Sequence, residues 1–348
     1  MRLGLISSFV PHVDGGYRLI VESLAFALQS AGHEAEVVYL PWSGDPDWQL
    51  AQMANYRMLD LTRSFDRIVT FRPPSYAVRH RHKIVWFIHH ERMFYDLWDS
   101  PLNPIEKTAS QFSLRKALQR ADCLALNEAQ LLLCNSEETK RRLKDFNKLE
   151  ADVLFPPIPH MLANGLRCCG YNDELVYISR VERHKRQHLA VEAMAYTNPS
   201  IRLRVCGQSQ DRVYVEELRG IIEKLKLESR VTLDLRWISD DEKIALLNSC
   251  LAAIYVPFLE DGFGYPTLEA AKAAKCTVTT SDSGAVIEFV KGALSACVAE
   301  PDPRALAEVF NMLHSQNQLQ AERLGKMSEK RIDELNISWD RVISSVVK

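Results

Sequence analysis

The sequence predicts an α/β protein of two consecutive domains, each a doubly wound, largely parallel sheet. Three observations carry this reading. Short apolar runs alternate with longer amphipathic stretches along the whole chain. The alternation breaks once, at Phe155-Pro-Pro-Ile-Pro-His160, where three prolines in six residues cannot continue a helix or a central strand. The 348 residues also exceed the size at which one hydrophobic core stops growing.

Taken in order, the runs LGLIS (3–7), AEVVYL (35–40), RIVTF (67–71), KIVWFI (83–88) and LLLCN (131–135) read as strands of the first domain. Residues 17–32 have helical spacing and end on Gly32, a helix stop. Ser136 caps EETKRRLKDF, with acids in the first turn and bases after it. Residues 1–157 therefore form the first domain and the irregular stretch 158–172 a linker. The pattern restarts with strands at 175–179, 201–207, 230–235, 252–257 and 276–280. Helices lie near 186–196, 211–227, 240–249 and 266–274, the third opened by a capping box of Ser239 and Glu242. This second domain runs over 173–330, and the tail after about residue 318 is helical in composition.

Composition narrows the function. Apolar residues make up 47% and charged residues 25%, ordinary for a globular protein, and a net charge of −2 gives no field suited to nucleic acid. The opening MRLGLISSFVPHVDGG reads as a strand and loop rather than a signal peptide, and no stretch has the ~20 apolar residues of a membrane span. The eight cysteines include no C-x-x-C pair and fall mostly in apolar runs, as buried free thiols do. A cytoplasmic location is the expectation.

Four segments carry chemistry. Asp261-Gly-Phe-Gly-Tyr-Pro-Thr-Leu-Glu269 follows the strand AAIYVP, at the carboxyl end where parallel sheets bind ligands. Gly262 and Gly264 permit close backbone approach, the helix amino terminus beyond Tyr265 favours anions, and Asp261 and Glu269 suit sugar hydroxyls. Arg180 and Lys185 follow the strand LVYIS and set two cations at its end; alone, the segment would read rather as a basic surface turn. Gly15 and Gly16 form a glycine turn after the first strand, with Asp14 before them, but the pattern is not G-x-G-x-x-G. His89 and His90 close the strand KIVWFI, with a structural role the alternative for either.

The acid pair, separated by seven residues, and the R-x-x-x-x-K spacing of Arg180 and Lys185 resemble glycosyltransferase family 4, the retaining enzymes of the GT-B fold. The departure is Asp261 where the family has Glu, with Glu260 immediately before it. The resemblance implies two Rossmann-like domains facing across a cleft, with a final helix (331–348) crossing back to the first. It implies that Arg180 and Lys185 hold the donor diphosphate and that Glu269 binds the ribose. Asp261 would orient the donor sugar, and Gly15, Gly16, Gly207, Gly262, Phe263, Gly264 and Tyr265 would line the donor site. His89 would stand near the reacting carbon, with His90 in reserve.

The expectation is thus a retaining, metal-independent glycosyltransferase that uses a nucleotide-diphosphate-sugar and needs no cofactor. Its acceptor would be a saccharide or a lipid-linked saccharide. A nucleotide-sugar epimerase of the same fold, or a weakly active donor-binding subunit, are the alternatives. Between Arg67 and Arg92 six Lys/Arg face one acid, a basic stretch suited to a phosphorylated acceptor or an anionic membrane face, or simply a solvated surface.

Overall fold

The computed structural model describes residues 1–10 and 15–348 and divides into two compact units. Asp14 lies outside the described residues. The first unit is Met1–Pro157 with Ser338–Lys348. It runs β1 (Arg2–Phe9), α1 (Gly16–Ser30), β2 (Glu34–Pro41), α2 (Gln49–Arg57), β3 (Arg67–Thr70), β4 (Lys83–Phe87), α3 (Ala109–Asn127), β5 (Leu131–Cys134), α4 (Glu137–Arg142) and β6 (Asp152–Val153). The second unit, Ile158–Ile337, begins with α5 (His160–Gly165), β7 (Glu174–Ile178), α6 (Gln187–Ala193), β8 (Arg202–Cys206), α7 (Arg212–Lys224) and β9 (Val231–Asp234). It continues through α8 (Asp240–Ser249), β10 (Ala252–Ile254), α9 (Tyr265–Lys272), β11 (Thr277–Thr280), α10 (Val286–Phe289), β12 (Val298–Ala299), α11 (Pro303–His314) and α12 (Leu319–Glu334). The last helix, α13 (Trp339–Val347), belongs to the first unit.

Each unit holds a six-stranded sheet, ordered β2-β1-β3-β4-β5-β6 in the first and β12-β11-β10-β7-β8-β9 in the second. Every pairing between them is parallel. Helices cover both faces of such sheets, so strands are buried on both sides and read as unbroken apolar runs. β4 is buried at all five residues. On one face of the first sheet, Ile6, Ile68, Val85 and Phe87 pack with Met53 and Tyr56 of α2 and with Ala125 and Leu126 of α3. Strand order reverses between β1 and β3 in the first unit and between β7 and β10 in the second. At such a switch point the flanking loops part and leave room for a ligand.

Local signals act as the chemistry dictates. Gly32 takes φ +83 beyond α1, with its N–H on Gln29 O at 3.0 Å, a conformation costly for a side chain. The Ser239–Glu242 capping box closes at the head of α8. All eight cysteines are free; Cys168 and Cys169 are exposed rather than buried.

Three boundaries differ from the sequence expectation. Residues 158–172 are not a bare linker but fold onto the second unit. The Asn248 side chain donates to Gly165 O (3.0 Å) and accepts from Arg167 N (2.8 Å), satisfying backbone that prolines keep out of a sheet. The stretch 331–348 does not cross as one helix, since α12 stays with the second unit through Glu334 and the return begins at Ser338. There Ser338 caps α13, and Arg67 donates to Val346 O at 2.7 Å. Pro266 is the second residue of α9, not the first.

Candidate active site

In the second unit the loops after β7 and β10 meet at the switch point. Lys185 ends a short 3-10 turn and is 7% exposed. Its Nζ donates to Glu260 Oε2 at 2.6 Å and to the Tyr255 hydroxyl at 2.8 Å. The Tyr177 hydroxyl donates to the Lys185 carbonyl, fixing the turn from below. Arg186 then takes φ +56, and its guanidinium binds both oxygens of Asp282 (2.7 Å each), Thr280 Oγ1 (2.8 Å) and the carbonyls of Val256 and Pro257 (2.9 Å each). One planar fork thus ties the β7 loop to the ends of β10 and β11. Arg180 is half exposed and pairs with Glu182 at 2.6 Å.

The glycines are required by close approach. A Cβ on Gly264, at φ +73, would stand 2.5 Å from the Tyr255 ring, so the missing side chain lets Tyr255 reach Lys185. A Cβ on Gly207 would lie 1.9 Å from the Ser179 carbonyl oxygen, at the end of neighbouring β7. Asp261 and Gly262 are partly exposed in the bend before α9. Glu269, in α9, is 2% exposed and accepts from Lys243 Nζ at 3.2 Å. Burial raises its pKa, and the Lys243 charge opposes the rise. Burial also raises the pKa of Tyr265, aided by the Glu269 charge. Phe263 is 3% exposed with its ring 5.5 Å from Phe289, so it holds the loop to the core.

In the first unit Gly15 caps α1 and Gly16 opens it. His89 follows β4; its Nδ1 lies 2.7 Å from the His90 carbonyl, so Nδ1 carries the proton and Nε2 is the acceptor. Burial, with the Arg72 charge nearby, pulls its pKa down to about 3, leaving a neutral ring at physiological pH. His90 is 1% exposed, bonded to Asn147 Oδ1 at 2.7 Å and packed on Tyr95, ring centres 4.2 Å apart. It is a core residue.

Residues 171–331 match the family model described as Glycosyl transferases group 1. Human alpha-1,3/1,6-mannosyltransferase ALG2 is 27% identical over 291 residues, 77% of this chain and 68% of its own length. The chain carries a group 1 glycosyltransferase domain. It is a glycosyltransferase, and solved structures agree in fold. HepE of Anabaena, crystallised in complex with UDP, superposes with a TM-score of 0.69 at 17% identity, covering 100% of both chains. WaaG, a glycosyltransferase involved in lipopolysaccharide biosynthesis, gives 0.69 at 14% identity over 99% of each. The fold is GT-B.

The transferase brings Arg180, Lys185, Gly207, Gly264 and the 260–269 loop to one end of one sheet. It turns Phe263 into that sheet's core. Sequence reasoning gave no role to Arg186, Lys243 or Tyr255. No local signal marks them, because their partners lie 96, 26 and 70 residues away in the chain. No helix among the described residues is long and apolar enough to cross a membrane.

Proposed function

We propose that this transferase moves a sugar from a nucleotide-diphosphate-sugar to a saccharide acceptor with retention of configuration and without a metal. The observation that carries the reading is Lys185, a buried ammonium fixed by Tyr255 and Glu260 at the switch point, with Arg180 on the same loop. A diphosphate leaving group gains charge as its bond to the sugar breaks, and preorganised cations stabilise that charge more than the ground state. Glu269, held by Lys243, would take the ribose hydroxyls, and Asp261 the donor sugar. His89, neutral with Nε2 as acceptor, would serve the acceptor or the reacting sugar from the first unit. Retention follows the resemblance of the acid pair to family 4.

Metal independence is supported by the use of cations for the charge. The single D-x-D, Asp45-Pro-Asp47, is engaged elsewhere: Asp45 Oδ1 accepts from Asp47 N at 3.0 Å to cap a turn. The human relative's mannosyl transfer makes mannosyl donors the first to try. The acceptor is the saccharide that the resemblance implies; of the six bases between Arg67 and Arg92 only Arg79 and Arg81 are exposed, and Lys83 is fully buried, so the stretch forms no basic face for a membrane.

The experiment is a thermal-shift panel of nucleoside diphosphates and their sugars, followed by anomeric NMR of the product in EDTA. A ligand at 100 times its Kd stabilises by ~2.7 kcal/mol. Lys185→Met should cut turnover by roughly 10²–10³. No shift with any nucleotide, or turnover that returns only with added metal, overturns the reading.

A further inference from the structure

We propose that Cys168 is a peroxide-reactive thiol that oxidises reversibly to a sulfenic acid, with Lys275 as the residue that holds and protonates the reacting oxygen. The site lies at the amino ends of β7 and β11, opposite the Lys185 loop, and does not depend on the transfer reading. Residues 167–172 are pinned there. Arg167 N donates to Asn248 Oδ1, Cys169 N to Asn248 O and Asn172 N to Ser249 O, each at 2.8 Å. The Tyr171 hydroxyl donates at 2.8 Å to the carbonyl of Ala274, the residue before Lys275. Cys168 and Cys169 are both exposed.

What distinguishes Cys168 is the buried lysine beside it. Lys275 is 0% exposed, and its Nζ donates to Cys168 Sγ at 3.7 Å and to the Gly170 carbonyl, 3.5 Å from the centre of the Tyr171 ring. No carboxylate among the described residues pairs with it, whereas Lys83, equally buried, meets Glu128 at 3.1 Å. An ammonium taken out of water without a carboxylate is costly, so it favours negative charge on the sulfur it touches. Two other thiols feel the same lysine. Burial pushes the Cys250 thiol up to about 12, and a hydrogen bond with Cys297 raises that of Cys276, so both stay protonated. Of the three, Cys168 alone is exposed. Burial also pulls the Lys275 pKa down, which makes the ammonium a readier proton donor.

Hydrogen peroxide is the oxidant. The Cys168 thiolate sulfur attacks one peroxide oxygen; the S–O bond forms as the O–O bond breaks, and the sulfur gives up two electrons. The leaving hydroxide takes a proton from Lys275 Nζ and departs as water, and the proton that the thiol first released to solvent restores the ammonium. The sum is thiol plus hydrogen peroxide to sulfenic acid plus water. The added oxygen can accept from the same Nζ that touches the sulfur. A disulfide to Cys169 would strain the pinned backbone between neighbours, so the sulfenic acid persists until a small thiol condenses with it. That condensation releases water and leaves a mixed disulfide, which a second thiol reduces.

The test treats the full, reduced chain with limiting hydrogen peroxide in the presence of dimedone, which traps sulfenic acids, and locates the adduct by fragmenting the Cys168–Cys169 peptide in a mass spectrometer. Cys168 should carry about ten times the label of Cys169, although both are exposed. Equal labelling of the two neighbours, or none at Cys168, overturns the site. Lys275→Met should lower the Cys168 label about tenfold and leave that of Cys169 where it was, with partial recovery in Lys275→Arg. A Cys168 to Cys169 ratio unmoved by Lys275→Met removes the lysine from the proposal. If Lys275→Met does not fold, Lys275→Arg decides: its ratio should fall between that of the wild-type chain and equality, and a wild-type ratio overturns the lysine's part. A small thiol added after peroxide and before dimedone should abolish the label, and label that survives it overturns reversibility.

Discussion

Lys185 has an internal counter-ion, and that sets up a competition. Glu260, 2.6 Å away, must yield as a donor diphosphate takes the ammonium. Glu260→Gln should therefore tighten UDP binding by up to about tenfold, about 1.4 kcal/mol, measured by calorimetry; unchanged or weaker binding would end the competitor role. His89→Ala should lower turnover with near-normal UDP affinity, and a loss of nucleotide binding would show the histidine misassigned. Glu91 gives a pH signature. Burial raises its pKa from 4.5 to about 7, so between those values the folded chain holds a proton the unfolded chain has lost. Stability then falls as pH rises from about 4.5 to 7, by at most ~3 kcal/mol from this group. Glu91→Gln should flatten the melting temperature across that window; an unchanged slope would refute it. Among residues, spacing made Arg180, Lys185 and Glu269 legible. Which of Glu260 and Asp261 meets the lysine turns on the geometry of a bend, and that is invisible in a string of letters.

At the scale of elements, the strands were legible because parallel sheets bury both faces and leave continuous apolar runs. β6 and β12 were not, since two residues carry no periodicity. α5 hid among prolines, and the Asn248 side chain that bonds the backbone at and just after its end lies more than 80 residues on. Gly207 shows an element under tight constraint, with φ +142 and the β7 carbonyl where a Cβ would be. Gly207→Ala should cost several kcal/mol, on the order of 3, and weaken UDP binding by shifting the Arg180 segment. Denaturant titration with UDP calorimetry checks both, and a loss below 1 kcal/mol would mean the loop relaxes freely.

For the whole molecule, the two-unit division was legible from one proline cluster, while the membership of the tail was not a matter of local pattern. α13 buries Trp339, Val342 and Val346 within the first unit. Each such side chain contributes about 1.5–3 kcal/mol, so ending the chain at Ile337 should lower the first unit's unfolding transition by several kcal/mol. UDP binding by the second unit should survive. Calorimetry of the shortened chain would show an early separate transition, and a single unshifted one would argue that α13 adds nothing.

The same helix has a consequence in time. A chain leaves the ribosome from its amino end at about 5–20 residues per second, and units fold as their parts emerge. The second unit has all its residues once Ile337 is out, whereas the first still waits for Ser338–Lys348. The unit synthesised first is thus completed last, and until then the apolar seat of Trp339, Val342 and Val346 stays uncovered on a nascent chain.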